Sequence, residues 1–244
     1  MKKIIYVFVL IMSSFLSAQQ RPKLLVGIVV DQMKMEYLYR FSDDFSANGF
    51  KRIIDNGYSF HNMHFNYMPT YTGPGHASIY TGTTPSIHGI VGNDWFNRST
   101  GKELYCTDDA SVHLLGDGKP DEGEMSPKNL QTTTITDELR LDTNFKGKVI
   151  GISLKDRGAI LPAGHFANWA FWYSNSGAFI SSSFMVKNYR IGLPNLIMKK
   201  NIFPTSTKGG IYSNLCRFTI RVYLTTILMK ENYTVVLRPF FHII

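Results

Sequence analysis

The sequence predicts an α/β fold, a mainly parallel sheet sandwiched by helices, and three observations carry that prediction. Residues 23–30, KLLVGIVV, are a continuous rather than alternating apolar and β-branched run, the pattern of a strand buried on both faces. Residues 148–154, KVIGISL, repeat the pattern after the turn signal Lys146-Gly147. Helix-like stretches lie between them, at 49–56, stopped by Gly57, and at 133–141. Buried strands separated by helical material are the order in which α/β chains are written.

Taken along the chain, the first element is a targeting segment. Lys2 and Lys3 precede an unbroken apolar run over 4–12, and Leu16, Ser17 and Ala18 form a small-residue cleavage site, so residues 1–18 are expected to be a signal peptide. The run is shorter than the roughly 20 residues that a spanning helix needs. An exported, periplasmic or extracellular protein starting at Gln19 is therefore expected, with no membrane span after cleavage. Residues 95–106 read as a hairpin around Ser99, Thr100 and Gly101, and the polar, Gly-rich stretch 108–128 as a surface excursion. Two cysteines, Cys106 and Cys216, are too few for a disulfide-built scaffold, and no pairing between them is expected.

The net charge of +8 is unevenly distributed. Residues 187–244 hold nine Lys/Arg and a single acid, Glu231, so residues 1–186 are neutral and the whole excess belongs to the tail. Its charges are scattered among Ile, Leu, Phe and Tyr without a block or helical stripe, and nucleic acid is not an expected partner. A basic tail that binds anionic surfaces stays as a third reading of the chain.

The densest chemistry lies in residues 69–89, PTYTGPGHASIYTGTTPSIHG. Gly73, Pro74 and Gly75 end an extended segment and a short helix closed by Gly82 follows, which puts Thr72 at or just before a helix N-terminus. Unpaired N–H groups at such a point stabilise anions. An isolated threonine there would be a cap; its company argues for more. Asp31 follows the first strand, Lys155 and Arg157 the second, and such strand ends are where ligands collect in open α/β sheets. No Ser-His-Asp arrangement is evident to activate a hydroxyl, which leaves metal coordination as the other common route. Asp31 offers a hard oxygen ligand, and Lys155 and Arg157 offer positive charge to a phosphoryl group. His76 and His88 are expected to make structural hydrogen bonds, and His61, His64, His113 and His165 show no clustered ligand spacing.

With GIVVDQM, the block above continued through GNDW, and SLKDRGAILPAGH, the chain resembles the threonine-nucleophile alkaline phosphatases, relatives of the type I phosphodiesterases and nucleotide pyrophosphatases, over about residues 23–185. The resemblance implies that Asp31 and Thr72 bind zinc, that Thr72 is the catalytic nucleophile that becomes phosphorylated, and that Asn93, Lys155 and Arg157 bind the substrate phosphate. It implies two zinc ions per complete site and a small-molecule phosphate monoester as substrate. Two cations favour a doubly charged monoester; a phosphodiesterase or nucleotide pyrophosphatase is the alternative.

In that family the remaining zinc ligands are aspartates and histidines from the second half of a longer chain. Beyond Met185 this sequence has no aspartate and only His242. The expectation is thus an N-terminal part of such a domain over 19–186 and a divergent basic tail over 187–244, out of the ancestral frame or following a truncation. A non-catalytic fragment is the alternative to an enzyme. The sheet, deprived of partner strands, is expected to leave apolar surface exposed.

Overall fold

A computed structural model of the chain describes residues 22–186 and the backbone of one further strand, 234–240. The expected signal segment, Cys216 and the tail apart from that strand lie outside the described residues. The first strand, β1 (Leu24–Val30), is followed by two short helices, α1 (Glu36–Arg40) and α2 (Phe50–Asn56). Helices α3 (Thr72–Thr81) and α4 (Pro85–His88) come next, then an antiparallel hairpin of β2 (Asp94–Asn97) and β3 (Lys102–Tyr105). After β4 (Leu114–Leu115) come α5 (Ile135–Asp142), β5 (Lys148–Ile152), α6 (Asp156–Ala163), β6 (Trp169–Tyr173), β7 (Phe179–Ser182) and β8 (Thr234–Phe240).

The main sheet has the order β1-β8-β5-β6-β7-β4. The first four run parallel, and β7 and β4 complete it antiparallel. The mainly parallel α/β fold is as the sequence predicts. β5 is buried on both faces at Val149, Ile150 and Gly151. Its closeness to α6 is set by Gly151, where a Cβ would meet the Ala159 carbonyl oxygen at 2.2 Å.

Two expectations are corrected. β1 is not covered on both faces: Leu24, Leu25, Val26 and Ile28 are 38–51% exposed. Its apolar run belongs to the edge strand of the sheet among the described residues, where β8 is its neighbour. Residues 108–128 are not a surface excursion either. They contribute β4 to the sheet and bury Asp109, Gly123 and Ser126, and the Trp172 indole donates to the Glu122 carbonyl at 3.0 Å. Polarity misleads here because Asp109 is fully engaged. It accepts from Ser111 N and Oγ at 3.1 and 2.6 Å, Ser126 Oγ at 2.6 Å and Lys128 Nζ at 3.3 Å. A buried carboxylate is tolerated when its lone pairs are filled in this way.

The core has two parts. One, with Val149, Ile160, Ala163, Ala170, Trp172 and Ile180, lies between β5, β6, β7 and α6. The other, Ala77, Ile90, Cys106, Leu130 and Leu161, joins α3 and α6 to the end of the hairpin. This second cluster is the floor beneath the residues of interest.

Candidate active site

Because β1 and β5 run parallel, their carboxyl ends fall on one edge of the sheet. Asp31 follows one and the turn into α6, with Lys155 at its N-cap, follows the other. Between them α3 begins. Thr72 is its first residue, the N-cap is Tyr71, and no side chain caps the helix. The Thr72 hydroxyl donates instead to Asp31 Oδ2 at 3.1 Å. The capping alternative for Thr72 is thereby replaced by a specific partner distant in sequence.

Asn93 is locked to the same turn. Its Oδ1 accepts from Gly73 N at 2.7 Å, which fixes the amide's orientation and leaves Nδ2 with no hydrogen bond among the described residues. The expectation at this helix end is narrowed. The Gly73 N–H is spent on Asn93, Pro74 has none, and the Gly75 N–H bonds the Tyr71 carbonyl at 2.9 Å. The donors left for an anion are therefore the Thr72 N–H, Asn93 Nδ2 and the two cations, rather than the N–H groups of Gly73 and Gly75.

Arg157 is half-buried with its Nη1 donating to Tyr105 Oη at 2.7 Å and its Nε buried without a partner. Lys155 is exposed and, among the described residues, makes no hydrogen bond or ion pair with the other four. The structure thus joins Thr72 directly to Asp31 and Asn93 to the next residue. Arg157 comes near enough for its charge to act on His76, one turn into α3. Lys155 joins them through its place in the chain.

The histidines divide as the sequence indicates. His88 is fully buried, with Nδ1 accepting from Ile90 N at 3.2 Å and Nε2 facing Ser78 Oγ at 2.9 Å, and burial lowers its pKa. His76 Nδ1 meets the Thr72 carbonyl at 2.8 Å, so it donates there and braces the first turn of α3. Burial pushes the His76 pKa below its usual value, against the Thr72 carbonyl and the Asp31 charge that raise it. Cys106 is a free thiol, fully buried, with its pKa pushed by burial to about 12. It packs under Gly73 as a small hydrophobe.

What the sequence reading missed is the support of Arg157. Tyr105 Oη donates to Asp156 Oδ1 at 3.0 Å, and Thr107 Oγ1 donates to Asp156 Oδ2. Asp156 stood in view inside the Lys-Asp-Arg block, but nothing in the sequence tied it to a tyrosine at the end of a hairpin.

The site therefore holds a hydroxyl on a carboxylate at the strand ends of a parallel sheet, with an amide fixed at the next residue and two cations at the neighbouring strand end. Residues 25–221 match the family model of type I phosphodiesterase / nucleotide pyrophosphatase, and the chain belongs to that hydrolase family, within the alkaline phosphatase superfamily. It is 51% identical over 185 residues to alkaline phosphatase PafA of Elizabethkingia meningoseptica, covering 73% of this chain and 34% of that protein. It is 54% identical over 172 residues to alkaline phosphatase PhoV of Synechococcus elongatus, covering 70% and 31%. A Myroides odoratus protein named calcium-transporting ATPase is 54% identical over 170 residues, covering 69% and 31%. The chain spans about a third of the length of these relatives. The crystal structure of wild-type PafA superposes with a TM-score of 0.75 at 34% identity, covering 91% of this chain and 53% of that one. A PafA variant with a threonine, an asparagine, a lysine and an arginine substituted together superposes at 0.78.

Proposed function

We propose that this chain carries the nucleophile and phosphate-binding residues of an exported, zinc-dependent phosphate monoester hydrolase. The observation that carries the reading is the Thr72 Oγ1 to Asp31 Oδ2 hydrogen bond beside the Gly73 to Asn93 lock. The four residues substituted in the PafA variant are spaced along their chain as Thr72, Asn93, Lys155 and Arg157 are along this one, which supports the choice of residues.

The hydroxyl proton of Thr72 is held by Asp31, which leaves the oxygen's lone pairs free for attack on phosphorus. Attack by Thr72 Oγ1 forms the Oγ1–P bond as the bond to the leaving oxygen breaks; the hydroxyl proton passes by way of Asp31 to solvent, and the leaving alkoxide takes a proton from solvent to depart as the alcohol. Water then attacks the phosphothreonine, the Oγ1–P bond breaks, the water gives up its proton as Thr72 regains one, and phosphate leaves. Asn93 Nδ2, Lys155 and Arg157 take the charge that spreads over the phosphoryl oxygens. Two cations suit a doubly charged monoester better than a singly charged diester.

Asp31 and Thr72 offer adjacent oxygen donors and would hold one zinc ion. The donor type fits, but among the described residues no group of three or more His, Cys, Asp or Glu forms a metal site. Zinc, when bound, supplies the Lewis acidity that lowers the pKa of an oxygen it touches. The shortage of donors favours a second reading, phosphate binding without turnover. Among the described residues no helix is long and apolar enough to cross a membrane. The expected signal segment supports export.

The test is hydrolysis of an aryl phosphate by the full chain with added zinc, against Thr72→Ala and against an aryl diester. Turnover of the monoester that disappears in the variant is the expected result. Equal background rates in both proteins would leave the second reading.

A further inference from the structure

We propose that Tyr105 is a positioning residue for phosphate recognition, a spacer whose hydroxyl keeps the Arg157 guanidinium off the neighbouring Asp156 carboxylate and turned toward the phosphate. The inference rests on the phosphate-binding reading of Arg157, and Tyr105 and Thr107 lie outside the motifs that suggested that reading.

Tyr105 has one hydroxyl proton, and it goes to Asp156 Oδ1 at 3.0 Å. A lone pair of the same oxygen accepts from Arg157 Nη1 at 2.7 Å. The guanidinium carbon also stands 5.8 Å from the Tyr105 ring centroid. The second carboxylate oxygen of Asp156 is filled by the Thr107 hydroxyl, and Thr107 is fully buried. A line of bonds thus runs from Arg157 through Tyr105 to Asp156, with Thr107 anchoring its far end.

Consecutive helix positions do not share a face, yet Asp156 Oδ1 and Arg157 Nη1 both bond the one Tyr105 oxygen, which puts the two opposite charges within reach of the strong direct pairing. Here they do not pair: the tyrosine oxygen stands between them. Arg157 Nε meanwhile is buried with no partner, an arrangement that costs free energy unless a ligand fills it. Asp156 still acts on Arg157 electrostatically without capturing its donors. Removing the tyrosine oxygen opens the direct pair, and the carboxylate then competes with phosphate for the same fork.

The test uses the full chain titrated with inorganic phosphate by calorimetry, as wild type, Tyr105→Phe, Asp156→Asn and the double variant. Tyr105→Phe is expected to weaken phosphate about tenfold, the loss of one charge-assisted hydrogen bond. Adding Asp156→Asn to Tyr105→Phe is expected to restore most of that affinity, since a neutral amide no longer captures the guanidinium. A merely structural tyrosine would show additive losses, and additivity overturns the proposal.

The Arg157 Nε–H resonance, followed by NMR without phosphate, reads the brace independently. It should move in Tyr105→Phe and return toward its wild-type position in the double variant. A resonance that Tyr105→Phe leaves unchanged overturns the brace whatever the affinities. A wild-type chain that ignores phosphate while the resonance moves as expected removes the phosphate-binding reading and keeps the spacer.

Discussion

A methyl group at Gly73 would lie 3.1 Å from the Gly92 carbonyl oxygen, 3.2 Å from Asn93 Oδ1 and 3.3 Å from Cys106 Sγ. Two of these neighbours are held rigidly, so Gly73→Ala must displace Asn93. It is expected to weaken phosphate binding and to cost about 1–3 kcal/mol of stability, as overpacking usually does, measurable by calorimetry and urea unfolding. Asp109 offers a separate test in the fold. Burial raises its pKa, but the bonds from Ser111, Ser126 and Lys128 outweigh that and hold it at about 2 against an ordinary 3.8. Its folded value is depressed, so its contribution is present above the unfolded value and lost as pH falls toward about 2, roughly 2 kcal/mol by linkage. Asp109→Asn should therefore lose stability at neutral pH, with the gap to wild type narrowing in acid. At this scale the sequence displayed Asp31, Thr72, Asn93, Lys155 and Arg157 because their chemistry clusters in short recognisable blocks. Tyr105 was invisible: its role depends on a hairpin end meeting a helix start, and no local pattern records that meeting.

Helix ends do much of the positioning, and each solves its terminal hydrogen bonds differently. At α3 the N–H groups of Gly73 and Gly75 are consumed locally, which leaves the Thr72 N–H and the side-chain donors to face the site. At α5 a capping box closes: Thr134 Oγ1 accepts from Asp137 N at 3.1 Å, and Asp137 Oδ2 accepts from Thr134 N at 3.0 Å. Asp137 is fully buried and also takes the Phe166 N–H at 2.7 Å and faces His165 Nδ1 at 3.3 Å, so the cap ties α5 to the chain beyond α6. Thr134→Ala is expected to cost about 1–2 kcal/mol in chemical denaturation, near the top of the usual range for lost caps because the site is buried. The helices at 50–56 and 135–142 were legible to within two residues from periodicity and stop signals. The segment 108–128 was not, since its polar residues satisfy one another in the interior and composition alone cannot distinguish that from solvation.

Among the described residues, exposed apolar side chains are a prominent feature. Besides β1, the short helices present Tyr39, Phe50, Ile53 and Ile54, all at least 38% exposed. Apolar surface promotes association where such residues adjoin. Ile53, 62% exposed, is a direct probe. Ile53→Lys should raise solubility and lower the sedimentation-detected association of the chain, with a change in thermal midpoint no larger than a surface substitution gives. Exposed apolar surface was an expectation of the sequence, although β1 itself was assigned to the interior.

The strand β8 carries none of the five candidate residues, yet it lies between the two strands that deliver them. Neighbouring strands sit about 4.8 Å apart, so a strand inserted between β1 and β5 sets their ends about 10 Å from one another. Were β1 to pair with β5 directly, the ends of the two strands would stand about one strand spacing apart instead of two. The separation of Asp31 from the α6 turn is therefore tied to a strand that arrives from far downstream. Any change that displaces this strand would alter that separation without touching any of the five candidate residues.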